Sequence, residues 1–194
     1  RIESLSKEPG QSCDGTDRMT TSGQEGPGPI TSLLAGDHRR LDDLLRSAAA
    51  TADRIDQATY DQFRVGLLRH IGMEEKLLIP ALQCWRGGEP LPIAAKLRLD
   101  HGALATLLMP TPTAQILATI RRILSDHNRL EEAPDGLYAL CDQLPEAEME
   151  PLLAALRAAP RLSVMRHSDS PTVMKTLEGA LARAGYCLAP MTTS

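Results

Sequence analysis

The sequence predicts an all-α protein, an up-down four-helix bundle followed by short C-terminal satellite helices. Three observations carry that expectation. Apolar residues recur at helical spacing along four long stretches. The chain has one Phe, one Trp and three Tyr, so its core has to be built from Leu, Ala, Ile and Met, which suits packed helices better than a sheet. No stretch of useful length alternates apolar and polar residues as a half-buried strand would.

Taken in order, residues 1–29 are rich in Gly, Pro, Ser, Thr and charge, and cannot bury enough surface to offset the entropy of ordering. They are expected to be disordered, with Met19 an alternative start. A first helix is expected from about Thr31 to Ala50, where Leu34, His38, Leu41 and Leu45 share a stripe. The second runs from about Gln57 to Trp85 with Leu67, His70, Glu74 and Leu78 facing inward; Gly87-Gly88 ends it, and Pro80, which has no N–H to donate, is expected to kink it past Glu74. The third spans about Pro92 to Met109 around Leu97, His101 and Leu104, and the fourth about Thr113 to Ala133 around Ile120, Ile123, His127 and Glu131. After Pro134-Asp135-Gly136 a short helix resumes from Leu137 to Leu144. Residues 30–145 are read as the bundle and 146–194 as a helical extension packing on it, with helices over 146–158 and 171–184.

The bulk properties exclude several classes. A length of 194 residues with 42% apolar and 24% charged content describes a globular protein with one well-buried domain. A net charge of -4 and the lack of a basic run argue against nucleic-acid binding. No apolar run approaches the ~20 residues that cross a bilayer, and no signal-like apolar core lies near the start. Cys13, Cys84, Cys141 and Cys187 are widely spread without a C-x-x-C pair and read as reduced thiols, so a cytoplasmic location is expected.

The chemistry lies in a repeat. His70 precedes Glu74 by four residues, and His127 precedes Glu131 by four, so each imidazole shares a helix face with a carboxylate. His38 and His101 sit in the apolar stripes of the other two helices. One His-x-x-x-Glu pair is an ordinary surface contact, but four histidines on four successive helices with carboxylates at matching offsets describe a metal site in a bundle core. His38, His70, Glu74, His101, His127 and Glu131 are therefore the candidate ligands. With both glutamates bridging, each of two ions receives two imidazoles and two carboxylate oxygens and keeps open octahedral positions, which suits iron first and manganese second. Structural zinc would use fewer donors. Burying two glutamates without a cation would be costly. Asp37, Asp100 and Asp126, each one residue before a histidine, are placed about 100° away on the solvated face. Glu75 and Glu132 are read as rim residues, Asp42 as a surface charge or an acceptor behind a ligand, Tyr138 as a pocket wall or ordinary packing, and His167, between prolines, as solvated.

The segments GDHRRLDDLL, LLRHIGMEEKLLIPAL, LRLDHGAL and LSDHNRLEEAPDGLYALCDQL, over about residues 30–144, resemble in order the four ligand-bearing helices of hemerythrin-like proteins of the HHE cation-binding family. The tail segments RLSVMRHSDSPTV and ALARAGY also resemble bacterial members. The resemblance implies an oxo- or hydroxo-bridged di-iron centre, His38 and His70 on one iron, His101 and His127 on the other, and Glu74 and Glu131 between them. It implies a role in binding or reacting with oxygen, peroxide or nitric oxide, in sensing or protection, with an electron donor or signalling partner left open. The alternatives are an iron-storage or signalling module without turnover, or iron–sulfur repair, whose proteins carry a cysteine pair in an N-terminal extension where this chain has Cys13 alone. Oxygen carriers have a further histidine where this chain has Ala105, so the iron on His101 and His127 is expected to keep an open position, and redox reactivity or gas scavenging is favoured over reversible carriage.

Overall fold

The computed structural model describes residues 26–51 and 54–190, so most of the expected disordered segment, with Cys13, lies outside the described residues. Four long helices form the bundle: α1 (Pro29–Ala48), α2 (Gln57–Met73), α4 (Pro92–Leu107) and α5 (Ala114–Glu131). Helix α2 runs on through a π-helical turn, Glu74–Leu78, into α3 (Ile79–Trp85). Then follow α6 (Leu137–Cys141), α7 (Glu146–Ala158) and α8 (Pro171–Ala184). Apart from an isolated bridge between Thr51 and Arg54, the described residues contain no β pairing. The chain is all-helical, as the periodicity requires, and no described helix is long and apolar enough to cross a membrane.

The helix ends follow from local chemistry. Asp56 accepts from the Ala58 and Thr59 N–H groups at the start of α2, Thr113 caps α5 through the Ile116 N–H, and Ser170 caps α8 through the Val173 N–H. The first turn of α1 is capped from far away: the Ile30 and Thr31 N–H groups donate to the two carboxylate oxygens of Asp142, at 2.8 and 3.2 Å. This cap ties the end of α6 to the start of α1.

Two apolar clusters lie at opposite ends of the bundle. One contains Leu34, Met73, Leu78, Leu97 and Leu137, and the other Leu41, Leu67, Leu104 and Ile123. Along α1 the order is first cluster, His38, second cluster; along α2 it is second, His70, first; α4 runs as α1 does, and α5 carries second-cluster residues up to His127, with the first cluster resuming at Leu137 in α6. That alternation is the up-down topology, and it leaves a polar layer at mid-height between two dry plugs. The satellites seal the flanks. α8 lies along α4 with Leu177 and Leu181 buried, and α7 contributes Leu152, Leu153 and Leu156 beside the π turn. The Arg69 guanidinium donates to the Ala159 and Leu156 carbonyls at the exposed end of α7, and buried Arg64 donates to the Leu108 and Met165 carbonyls.

The expected kink at Pro80 takes a different form. Proline cannot donate to the carbonyl one turn back, and its ring presses on that turn. The helix relieves this by widening: the Ile79 N–H bonds the Glu74 carbonyl, five residues earlier. The wide turn begins at Glu74 itself, in the polar layer, where π turns are frequently functional.

Candidate metal centre

All six candidate ligands meet in the polar layer. Relative exposure is 0% for both Glu74 and Glu131 and no more than 5% for the four histidines. Their donor atoms form two clusters, His38, His70, Glu74 and Glu131 in one, and Glu74, His101, His127 and Glu131 in the other, with ligand atoms within 4.8 Å of one another in each. Each glutamate divides its oxygens between the clusters. Glu74 Oε1 lies 3.1 Å from His70 Nε2 and Oε2 3.2 Å from His101 Nε2. Glu131 Oε2 lies 3.4 Å from His38 Nε2 and Oε1 3.2 Å from His127 Nε2.

A ring of four carboxylates surrounds the histidines and faces their outer nitrogens. Asp37 on α1 accepts from His70 Nδ1 on α2 at 3.0 Å, and Glu75 in the π turn accepts from His101 Nδ1 on α4 at 2.7 Å. Asp100 on α4 stands 3.5 Å from His127 Nδ1 on α5, and Glu132, just past α5, accepts from His38 Nδ1 back on α1 at 2.6 Å. Each partner comes from a neighbouring helix, so the ring also stitches the bundle. A carboxylate on Nδ1 fixes the tautomer that leaves the Nε2 lone pair facing inward and makes the imidazole a better ligand. His101 Nε2 and His127 Nε2 face each other at 3.0 Å, a contact between two such atoms.

The electrostatics follow from this convergence of acceptors. Burial by itself would depress the His70 imidazole, but the Glu74 charge and hydrogen bonds to Asp37 and Glu74 outweigh it and raise the pKa to about 10. His127 is likewise depressed by burial and raised further by Glu131 and Asp100, to about 10. Burial pushes the Glu74 carboxyl up, yet His70 and His101 hold it well below its ordinary value. Glu131, raised by burial and by Glu74, is brought below its ordinary value by His127 and His38. Burial, and then the two glutamate charges, push the Tyr138 phenol well above its usual range. Two carboxylate oxygens, Glu74 Oε2 and Glu131 Oε1, are buried without any hydrogen-bond donor. A buried carboxylate oxygen with no donor calls for positive charge beside it, and the two His/Glu clusters can supply that charge by holding a metal ion, so the residues present fit a metal centre.

Several roles expected from the sequence need correction. Asp37 and Asp100 are not on a solvated face: Asp100 is fully buried, and both point at a histidine of the next helix. Asp126 is half-buried, its side chain 47% exposed and facing away from the centre toward Arg129. Glu75 and Glu132 sit at the rim and also hold imidazoles. The signal for these residues is the doublet pattern, Asp-His on α1 and α4 and Glu-Glu at the ends of the His-x-x-x-Glu runs, which places a spare acid beside each ligand. Asp42 is a surface charge paired with Arg46. His167 is half-buried rather than fully solvated. It stacks on Tyr60 and accepts from Gln57 Nε2 at 2.9 Å, away from the centre.

Tyr138 is the largest surprise. Its hydroxyl lies 2.5 Å from Glu74 Oε1, 2.9 Å from His38 Nε2, 3.1 Å from Glu131 Oε2 and 3.3 Å from His70 Nε2. Gly136 makes this possible. A Cβ there would come within 2.5 Å of the Glu131 carbonyl and 2.6 Å of the Leu130 carbonyl, so only glycine lets the chain turn tightly off α5 and swing α6 over the site.

A family model, the hemerythrin HHE cation binding domain, matches residues 30–134, which hold all six candidate ligands. Searches of curated proteins and of solved structures return no match.

Proposed function

Because the chain belongs to the hemerythrin HHE cation-binding family, we propose that it is a non-haem di-iron protein that binds or reacts with oxygen, peroxide or nitric oxide, in sensing or protection. The observation that carries this reading is the division of Glu74 and Glu131 between the two clusters, one oxygen in each. In this reading His38 and His70 hold one iron, His101 and His127 the other, and both glutamates bridge. Nitrogen and carboxylate donors in this number favour iron, with manganese second.

Bound iron supplies the redox chemistry and the affinity for small oxidants that side chains lack. The protein's own contribution is to prepare the site. The four outer carboxylates fix the imidazole tautomers, and the two apolar plugs exclude bulk water from the polar layer. Ala105 lies four residues, one turn, along α4 from His101, at the position where the resemblance to oxygen carriers would put a further imidazole. That leaves the His101/His127 half short of a donor, which favours reaction or capture over reversible carriage.

Metal analysis and oxidised-state absorption test the reading. Both metal positions filled by iron, with oxo-to-iron charge-transfer bands, are expected. Mixing the reduced protein rapidly with oxygen, peroxide or nitric oxide should then change the spectrum. Zinc alone, or a single ion per chain, would sink the dinuclear assignment. Bound iron that stays inert to all three would favour a storage or signalling module instead.

A further inference from the structure

We propose that Tyr138 is itself a ligand, as a phenolate, to the ion in the His38/His70 half, so that this half is closed and small oxidants are directed to the His101/His127 half. The inference rests on the dinuclear reading above and goes beyond it by making the two halves chemically different.

Four polar atoms of the candidate ligands crowd one hydroxyl. His38 Nε2, His70 Nε2, Glu74 Oε1 and Glu131 Oε2 all lie within 3.3 Å of Tyr138 Oη. A phenol has one proton to donate and can satisfy one of them at a time. The Nδ1 atoms of both histidines are already turned outward to Glu132 and Asp37, so in their neutral form the inner nitrogens offer lone pairs. Oη therefore shares with four metal donors the space that an ion must enter. The four residues that carry these atoms are the candidate ligands of that half.

The ring has no room to withdraw. Tyr138 is fully buried, with its ring centroid 5.5 Å from that of His38. Its helix is pinned at both ends. The close turn at Gly136 holds the start against the end of α5, and Asp142 beyond the other end is bonded to the first N–H groups of α1. An ion taken up among these donors would have Oη among its neighbours. The O–H bond is then replaced by an oxygen–iron bond and the proton is released to solvent, with no change of oxidation state. No tyrosine stands near the other half, where His101 Nε2 and His127 Nε2 face each other and Ala105 provides no donor. Tyr60, the other fully buried tyrosine, packs beside Phe63 and His167, and Tyr186 lies under Lys96.

The test compares the iron-loaded, oxidised full chain with Tyr138→Phe by resonance Raman and visible absorption. The wild-type protein is expected to show a phenolate-to-iron charge-transfer band with resonance-enhanced tyrosinate ring modes. Ring-deuterated tyrosine should shift those modes, and Tyr138→Phe should lose both band and modes while retaining iron. A wild-type chain with oxo-bridged iron but no tyrosinate modes would overturn this inference and leave the dinuclear reading standing. Modes that persist in Tyr138→Phe would overturn it too, by assigning them to another tyrosine. A wild-type chain that binds no iron would bring down both. Should Tyr138→Phe fail to hold iron, the deuterium-sensitive modes of the wild-type protein decide alone.

Discussion

The two halves of the centre are built from one recipe and finished differently. Each takes one histidine from an Asp-His pair, one from a His-x-x-x-Glu-Glu run and one oxygen from each glutamate, and each histidine has its own outer carboxylate. The His38/His70 half is then capped by Tyr138, delivered by the turn at Gly136. The His101/His127 half receives nothing further, and its two glutamate oxygens are the ones left without a donor. In the proposed dinuclear reading, near-symmetry in the ligands with asymmetry in the lid would let two ions of one kind do unequal work.

The largest effect should come from removing what the halves share. Glu74→Ala or Glu131→Ala is expected to abolish binding of both ions, because each side chain serves both clusters; metal analysis retaining one full equivalent would break the bridging account. His127→Ala, by contrast, should empty its own half first. Cutting one outer carboxylate asks whether the halves tolerate damage equally. Asp100→Asn and Asp37→Asn are each expected to weaken metal affinity about 10–100-fold, read by competition with a chelator. An unchanged affinity in Asp100→Asn would show that its longer 3.5 Å contact contributes nothing.

The halves should respond alike to pH once metal is stripped away. His70 and His127 both rise from 6.5 to about 10, so the folded chain binds protons more tightly than the unfolded one. The stability this supplies is complete below pH 6.5 and is lost as the pH climbs through about 10. Glu74 and Glu131 carry the opposite sign: their contribution is present above 4.5 and is lost as the pH falls through their lowered values. Thermal melts of chelator-treated protein should therefore fall between pH 6.5 and 10, and iron-loaded protein, whose imidazoles are neutral ligands, should lose much less over that window. Equal slopes in the two preparations would contradict the assignment. The smallest effect is expected far from either half. His167→Ala should leave metal content unchanged and cost on the order of 1 kcal/mol in stability, read by denaturant melts; loss of metal there would mean a ligand has been miscounted.

How much of this was legible depends on how far each interaction reaches along the chain. His70 with Glu74, and His127 with Glu131, are four residues apart, so one helical turn sets their relation and the spacing reveals it. The stripes around Leu34, Leu67, Leu97 and Ile123 are legible for the same reason. Asp37 and Asp100 were misplaced because a helical wheel measures angle against its own histidine, and an acid turned away from that histidine faces the next helix as readily as it faces water. The doublets alone do not settle it, since Asp126 also precedes a histidine yet pairs with Arg129 at the surface. Pro80 signals a disturbed helix, but a kink and a π turn satisfy the missing N–H equally well in sequence terms.

By itself, then, the sequence determined the helical class, the four ligand-bearing elements and the acid–imidazole pairs within them, because backbone periodicity is a local property. Only the tertiary structure decided which carboxylate serves which imidazole, which glutamate oxygens are left without a donor, and that a phenol from a short helix after α5 enters one half and not the other. Those outcomes depend on contacts such as His101–Glu75, 26 residues apart, and His38–Tyr138, 100 apart, and such distances are set by packing across helices, where no periodic signal exists to be read.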